Sequence, residues 1–318
     1  MEALNAGLLA QRAAVLAFHS PYSFIRGAAG EQQNQLFGVG RFARFPVTPH
    51  EQLTTFQIPD QQLLQLLLTE LPWDSEFFGT RTIKLLTALF NPTAPLAGRV
   101  LAVRAWQQQQ AATGSFYCFS EVPAEDTALL QTLTASGWRL VETRLQFYHD
   151  QVVEFEQPRY PVRLAKLEEA EHIGEIAAAA HNPYDRFHAD PWFGEAQADA
   201  FLARYASAAV QGYCDAVLIP DEPGLPVDSF LAISDLTADA RQLGVGLCRV
   251  VLTAVGPQNR GWHLRLVSET IQRAREQGAG YVLMTTQATN RAVFRTCEKL
   301  GFKLGGTTHI LAYHYPSR

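Results

Sequence analysis

Apolar and polar residues follow two periods along this chain, and the switches between them mark out its elements. Steps of three and four residues link Leu264, Val267, Ile271 and Ala274, which is one face of an amphipathic helix. Gly278 and Gly280 close that helix, and residues 281–286 resume as a strand. Upstream, residues 247–255 are rich in β-branched side chains and stop at Gly256-Pro257, as a strand does. Strands are also predicted over 115–121, 140–148, 215–219 and 230–235, with a helix over 125–135. A last helix starts after Asn290 and ends at Gly301, where glycine suits the left-handed turn after a helix, and a strand over 307–313 follows. Strands and helices in this mixed order predict an α/β or α+β protein whose sheet is covered by helices.

Residues 1 to about 60 read differently. A helical pattern over 3–18, carried by Leu8, Leu9, Val15 and Leu16, gives way to a long polar stretch with Phe37, Phe42, Phe45 and Phe56. Disordered segments are poor in aromatics, so this stretch is expected to pack, as an arm around the body or as a lid over a substrate.

The chain also repeats itself. Shifted by 164 residues, 117–143 falls on 281–307 without gaps, with seven identities, among them Tyr117/Tyr281, Gly137/Gly301 and Thr143/Thr307. Asp126 then faces Asn290, and Trp138 faces Phe302. Upstream the register slips by one, since Pro92 falls one residue short of Pro257. Two related lobes account for 318 residues, a length that suits two domains. The lobes differ between strand and helix. The second has Gln258-Asn259-Arg260-Gly261-Trp262-His263-Leu264, and the first has Ala94-Pro95-Leu96-Ala97-Gly98-Arg99-Val100, where Pro95 removes an N–H. Free N–H groups at a helix start favour a pyrophosphate, with Gly261 allowing close approach and Arg260 adding charge. Taken alone, the same residues also make an ordinary strand-to-helix turn.

Composition narrows the picture further. The chain is 47% hydrophobic and 18% charged, which excludes a disordered protein. No apolar run approaches the ~20 residues of a membrane span, and no secretory signal is visible. Cys118, Cys214, Cys248 and Cys297 are too widely spaced for a disulfide framework or a zinc motif, so a reduced, cytoplasmic protein is expected. A net charge of −5 without a basic stripe predicts no nucleic-acid partner. The nine histidines do not cluster at ligand spacing in the sequence, so no metal is expected.

With these residues in place, the chain resembles the GNAT superfamily of acyl-CoA-dependent N-acyltransferases. Their acyl-CoA loop has the form Gln/Arg-x-x-Gly-x-Gly/Ala, matched by Gln258-x-x-Gly261-x-His263 except at the last position. The later strand, Asn290-Arg291-Ala292 and the helix ending in Gly301-Phe302 match the family's second signature. Within that family, Arg186-Phe187-His188-Ala189-Asp190-Pro191 and Trp73-Asp74-Ser75-Glu76-Phe77-Phe78-Gly79 resemble the TDP-fucosamine acetyltransferase group, which acylates nucleotide-linked amino sugars.

The resemblance implies two tandem lobes, each a mixed, largely antiparallel sheet flanked by helices. The expected division is an arm over 1–60, a degenerate lobe over 61–157 and an acyl-CoA-binding domain over 158–318. It implies acetyl-CoA as co-substrate, held by Val255, Gln258, Asn259, Arg260, Gly261, Trp262, His263, Leu264 and Asn290. Val255 is the expected backbone donor to the developing oxyanion. Asn290 is expected to bond the pantetheine arm, and is also a preferred N-cap type.

Where the family carries a Tyr acid, seven residues after the Asn, this chain has Cys297, with His309 and Tyr313 as possible substitutes. A thiol can donate a proton, and a cysteine in line with Val293 and Leu300 is also what a helix core contains. His188 is the expected base, though a His beside Pro-Trp-Phe also packs. Arg186 and Asp190 are expected at the acceptor, where Arg suits a diphosphate; Arg186 can equally pair with Asp185 or Asp190. The expected function is acetyl transfer to a small-molecule primary amine, plausibly a nucleotide-linked amino sugar, by a monomer or homodimer. The alternatives are a non-catalytic acyl-CoA-binding protein, and a GNAT acting on a protein or another small-molecule amine.

Overall fold

The computed structural model describes residues 3–27, 30–59 and 62–316, which form two compact units. Unit 1 comprises residues 1–143 and 306–318, and unit 2 comprises residues 144–305. The expected boundary at 60/61 lies outside the described residues. In unit 1 the order is α1 (Ala6–Leu16), α2 (Gly30–Phe37), α3 (Val39–Ala43), β1 (Glu51–Ile58), β2 (Gln62–Glu70), α4 (Pro72–Phe78), β3 (Arg81–Phe90), α5 (Leu96–Ala112), β4 (Phe116–Pro123), α6 (Thr127–Ala135) and the start of β5 (Arg139–His149). Unit 2 continues with the rest of β5, β6 (Val162–Leu164), α7 (Ala170–Ala179), α8 (Arg186–Ala189), α9 (Glu195–Ala208), β7 (Ala216–Pro220), β8 (Ser229–Ser234), α10 (Thr237–Leu243), β9 (Leu247–Val255), α11 (Trp262–Glu276), β10 (Tyr281–Gln287), α12 (Arg291–Leu300) and the first residues of β11 (Lys303–Tyr315). No helix among the described residues is long and apolar enough to cross a membrane.

The strand order is β1-β2-β3-β4-β11 in unit 1 and β5-β10-β9-β8-β7-β6 in unit 2. In each sheet one parallel contact, β3 with β4 or β9 with β10, sits among antiparallel ones. Each unit thus completes its sheet with a strand from the other half of the sequence. Residues 307–313 read as the last strand of the acyl-CoA domain, yet Leu311 is buried in the core of unit 1 beside Phe116 and Trp138. Strand pairing, which is not written in the local sequence, decides that membership.

The repeat extends well beyond the helix that reveals it. Shifted by 165 residues, β1, β2, α4, β3 and α5 fall on β7, β8, α10, β9 and α11. Shifted by 164, β4, α6 and β5 fall on β10, α12 and β11. Even an irregularity is shared. The β2–β3 register slips so that Leu86 is extra, and the β8–β9 register slips so that Val251, its equivalent, is extra.

In unit 2 the alternation along β7 and β8 feeds two cores. Leu218, Leu231 and Ile233 face α11 residues Leu266, Val267 and Ile271. Val217, Ile219, Phe230 and Ala232 face Ile173, Ile176 and Ala177 of α7 and Ala206 of α9. The sheet of unit 2 is therefore covered on both sides.

The segment read as a polar, aromatic arm is largely helical, and residues 51–58 are strand β1, paired from Glu51↔Thr69 to Ile58↔Gln62. Leu8, Leu9 and Leu16 of α1, with Phe42 and Phe45, pack on Leu67 and Leu89. Arg12 lies 2.6 Å from Asp126, and His19 lies 3.0 Å from the same carboxylate oxygen. Both contacts are buried, and the Arg12 guanidinium also covers the Phe90 ring at 4.3 Å. Asp126 is the N-cap of α6 and the counterpart of Asn290. Over the start of α5, a Cβ on Gly98 would meet Pro59 Cδ at 3.0 Å. The cleft of unit 1 is thereby filled by its own chain.

Burial raises the affinity of Asp126 for a proton, but His19 and Arg12 outweigh it and hold this carboxyl below the usual range. Its contribution is present above the unfolded value of about 3.9 and is lost as pH falls below that value through the folded one. Asp126→Asn keeps an acceptable cap but strands Arg12, so urea unfolding at pH 7 should show a loss of about 3–5 kcal/mol. That deficit should shrink below pH 4.

Candidate active site

β9 and β10 pair in parallel from Tyr281↔Leu247 to Met284↔Val250 and no further. Beyond that point β9 stays on β8 and β10 stays on β5. Residues 251–255 and 285–287 part, and a cavity of about 540 Å³ opens between them. The bulge at Val251 bends β9 at the point of parting.

The opposite wall comes from α7 to α9. It includes Ala177, His181, Asn182, Asp185, Arg186, Phe187, Phe201 and Tyr205, while Arg144 reaches in from β5. Phe187 and Phe201 lie 4.3 Å apart, and Tyr205 stacks on Phe201 at 6.5 Å. Arg186 is buried, with its guanidinium 4.3 Å from the Phe187 ring. Burial also raises the Tyr205 hydroxyl above its ordinary range, so it stays neutral.

A second cavity of about 640 Å³ adjoins the first through Val255 and His263. Its lining includes Gly256, Arg260, Gly261, Leu264, Arg265, Arg295 and Lys299. Gly261 is the N-cap of α11 at φ 94°, in the left-handed region, with no side-chain cap and no atom within 4 Å of where a Cβ would stand. The first N–H groups of α11 are left uncapped beside four cationic side chains, which is the donor set an anion takes at a helix start. The residues present fit a pyrophosphate.

His263 occupies the junction. Thr296 Oγ1 donates to Ala292 O and accepts from His263 Nδ1 at 2.9 Å, so the imidazole is protonated on Nδ1. Its Nε2 is a buried lone pair with no hydrogen-bond partner. Burial alone lowers this imidazole to about 4.

The structure brings some of the sequence-predicted residues together and leaves others apart. Val255, Arg260, Gly261, His263, Leu264, Asn290 and Arg186 line one cavity or both. Asn290 also caps α12, accepting from the Val293 N–H at 3.2 Å. Gln258 lines neither cavity, and its N–H is held by Asp228 at 2.8 Å. Asn259 is buried, donating to Ser229 Oγ and Pro226 O, and Trp262 belongs to the core.

Cys297 is also a core residue, 1% exposed, with burial raising its thiol to about 12. His309 and Tyr313 belong to unit 1, where His309 bonds Thr143 and Tyr313 packs on Trp138 and Phe116. Asp190 is buried, accepts from the Trp192 N–H and is not part of the cavity wall. His188 sits one layer behind that wall, stacked on His181.

Sequence reasoning missed His181, Asn182, Phe187, Phe201, Tyr205, Arg144 and Val251. A basic pair four residues apart on α12, Arg295 and Lys299, was the one legible signal among the missed cations. In space, His181, His188 and Asp199 do cluster, contrary to the expectation that no histidines gather with carboxylates.

No family model and no curated protein matches the sequence. Among solved structures, the chain is similar to a GCN5-related N-acetyltransferase from Sphaerobacter thermophilus, at 12% identity over 94% of this chain and 93% of that one, TM-score 0.52. The fold is the GNAT fold. A GCN5-related glucosamine N-acetyltransferase region in a fungal multi-domain GH3 β-N-acetylglucosaminidase gives TM-score 0.56 at 12% identity, over 98% of this chain and 38% of that one. A tandem GNAT protein from the clavulanic acid biosynthesis pathway gives TM-score 0.48 at 14% identity, over 100% of this chain and 98% of that one.

The neutral His263 carries a testable cost in acid. Between pH 6.5 and about 4 the unfolded chain binds this proton and the folded protein does not. Stability should therefore fall across that window by roughly 3 kcal/mol in total. His263→Gln should remove this component of the urea-measured pH dependence while leaving the Asp126 component below pH 4.

Proposed function

We propose that this protein is an N-acyltransferase that moves an acetyl group from acetyl-CoA to the primary amine of a small acceptor. An amino sugar bearing an anionic group is the acceptor class we favour. One observation carries this proposal. In unit 2 an uncapped helix start, set among cations, adjoins a cavity opened by parted parallel strands.

The α11 N-terminus, Arg260, Arg295 and Lys299 would hold the pyrophosphate and phosphate. The parted edges of β9 and β10 would take the pantetheine arm, past His263 at the junction of the two cavities. When bound, the cofactor supplies an activated acyl thioester. Val255 and the unpaired Val251 are the backbone positions from which an N–H can stabilise charge on the carbonyl oxygen. Phe187, Phe201 and Tyr205 offer ring faces to the acceptor, and Arg144 and Arg186 favour an anion on it.

Size sets a limit. A cavity of about 540 Å³ is that of one drug-sized ligand, so it suits the thioester end together with an amine of monosaccharide size. A nucleotide attached to such a sugar would lie outside it. Glucosamine, the substrate named for the fungal neighbour, is of the size that fits.

A second reading, a non-catalytic acyl-CoA-binding protein, is favoured by one residue. Cys297, where the sugar acetyltransferases carry a Tyr acid, is in the core with its thiol raised to about 12. In our reading Cys297 packs and does not act, so Cys297→Ala should lower stability by about 1 kcal/mol and leave turnover within twofold.

The decisive measurement is thiol release from acetyl-CoA with glucosamine, glucosamine 6-phosphate and TDP- or UDP-linked amino sugars. Release with at least one amine is expected, and CoA binding without release from any would favour the second reading. Gly261→Asp places a side chain and a negative charge in the cradle, and should weaken CoA binding more than tenfold by calorimetry.

A further inference from the structure

We propose that His181 is the base that deprotonates the acceptor ammonium, with Asp199 and His188 positioning it. This rests on the acyl-transfer reading above. His181 lines the cavity, and its ring stacks on His188 at 4.0 Å with the planes 8° apart. His188 Nδ1 is 2.7 Å from Asp185 Oδ2, and its Nε2 is 3.0 Å from Asp199 Oδ1. His188 is thus held by a carboxylate at each ring nitrogen. Asp185 is itself fixed, because its other oxygen accepts from the Phe187 and His188 N–H groups.

The His181 ring stacks on this held His188 imidazole. Its Nδ1 faces only acceptors, Asp199 Oδ1 at 2.9 Å and Ala178 O at 2.9 Å, so in the neutral ring the proton sits on Nδ1. Nε2 then carries the lone pair, without a hydrogen-bond partner among the described residues. The groups around the ring are Asp185, Arg186 and His188 from the α8 segment, Asp199 and Tyr205 from α9 and Arg144 from β5. Asp199 is the partly exposed member, at 32%, and connects the pair to water.

The same geometry argues against a metal ion at this cluster. Lone pairs of parallel stacked rings do not converge on one point, and three of the four ring nitrogens already face acceptors.

In the step proposed, an ammonium proton passes to His181 Nε2. The nitrogen electron pair so freed forms the N–C bond as the C–S bond of the thioester breaks. The second N–H proton neutralises the thiolate, giving an amide and a free thiol. Asp199 holds the His181 imidazolium until it returns its proton to water.

Two measurements on the full chain test this. Proton–nitrogen NMR of the ¹⁵N-histidine-labelled protein should show the neutral His181 ring protonated on Nδ1. A neutral His181 protonated on Nε2 overturns the arrangement. The second compares acetyl-CoA turnover with glucosamine, an ammonium at neutral pH, and with 4-aminobenzoate, whose amine is already neutral. His181→Gln should lower turnover of glucosamine about 100-fold at pH 7, with recovery as pH rises, and should change the aromatic amine and CoA affinity little. Asp199→Asn should shift the acid limb of the glucosamine pH profile. Glucosamine turnover and a pH profile unchanged in His181→Gln would sink the base alone. No thiol release from the unaltered protein with any amine, CoA still binding, would sink the transferase reading and the base with it.

Discussion

The site depends on one extra residue in one strand. Before Val251, the even positions Cys248 and Val250 of β9 face the core under α11; after it, the even position Ala254 faces α7 and α9. A one-residue insertion in a period-two element must exchange the faces, and it also bends the strand. Without it, the β9–β10 contact that begins at Leu247 would have no reason to stop at Val250. The same exchange occurs in β3, where Ile83 and Leu85 share a core with Ala88 and Phe90, and Leu89 turns to the arm. Both units therefore inherit parted strands, and their difference lies in what occupies the gap.

In unit 1 the occupant is the chain itself. Helix α1 covers the face that α7 and α9 cover in unit 2, and Arg12 and His19 close on the cap of α6. Arg12 and His19 on one buried carboxylate form an assembly that a ligand would have to displace. In unit 2 the equivalent cap is a neutral Asn, and the gap stays open. The residue type at this N-cap is thus one of the differences between a cleft that is filled and one that stays open.

Much of this was legible in the sequence, for physical reasons that also mark its limits. The amphipathic period of α11, the stop at Gly256-Pro257 and the glycine after α12 made strands and helices readable. The repeat followed because its register holds through both ends of a helix. The bulges were hidden, since Leu247 to Val255 contains neither Gly nor Pro and reads as an unbroken strand. The stacked histidines were hidden too. Six residues lie between His181 and His188 across an irregular segment, where neither helical nor strand periodicity applies. Residues 51–58 escaped because β1 is half-buried and its side chains do not alternate in polarity. Cys297 showed the opposite problem, a residue whose helical spacing and chemistry suggested two roles, between which burial discriminates.

The loop motif lies beside a cavity, but not every residue of it lines one, and electrostatics explains why. Asp228 takes the Gln258 N–H, and a Cβ on Gly256 would collide with that carboxylate at 2.1 Å. The loop therefore closes on an internal anion at its start and leaves only the α11 end for an external one. Positive charge is supplied there by Arg260 from the loop and by Arg295 and Lys299 from the next helix, while His263 at the junction stays neutral. A net charge of −5 is no obstacle to such a site, because charges beyond about 8–10 Å are screened at physiological salt and the uncapped N–H groups act at contact. For the proposed function, an anion would be selected by the arrangement within one helical turn.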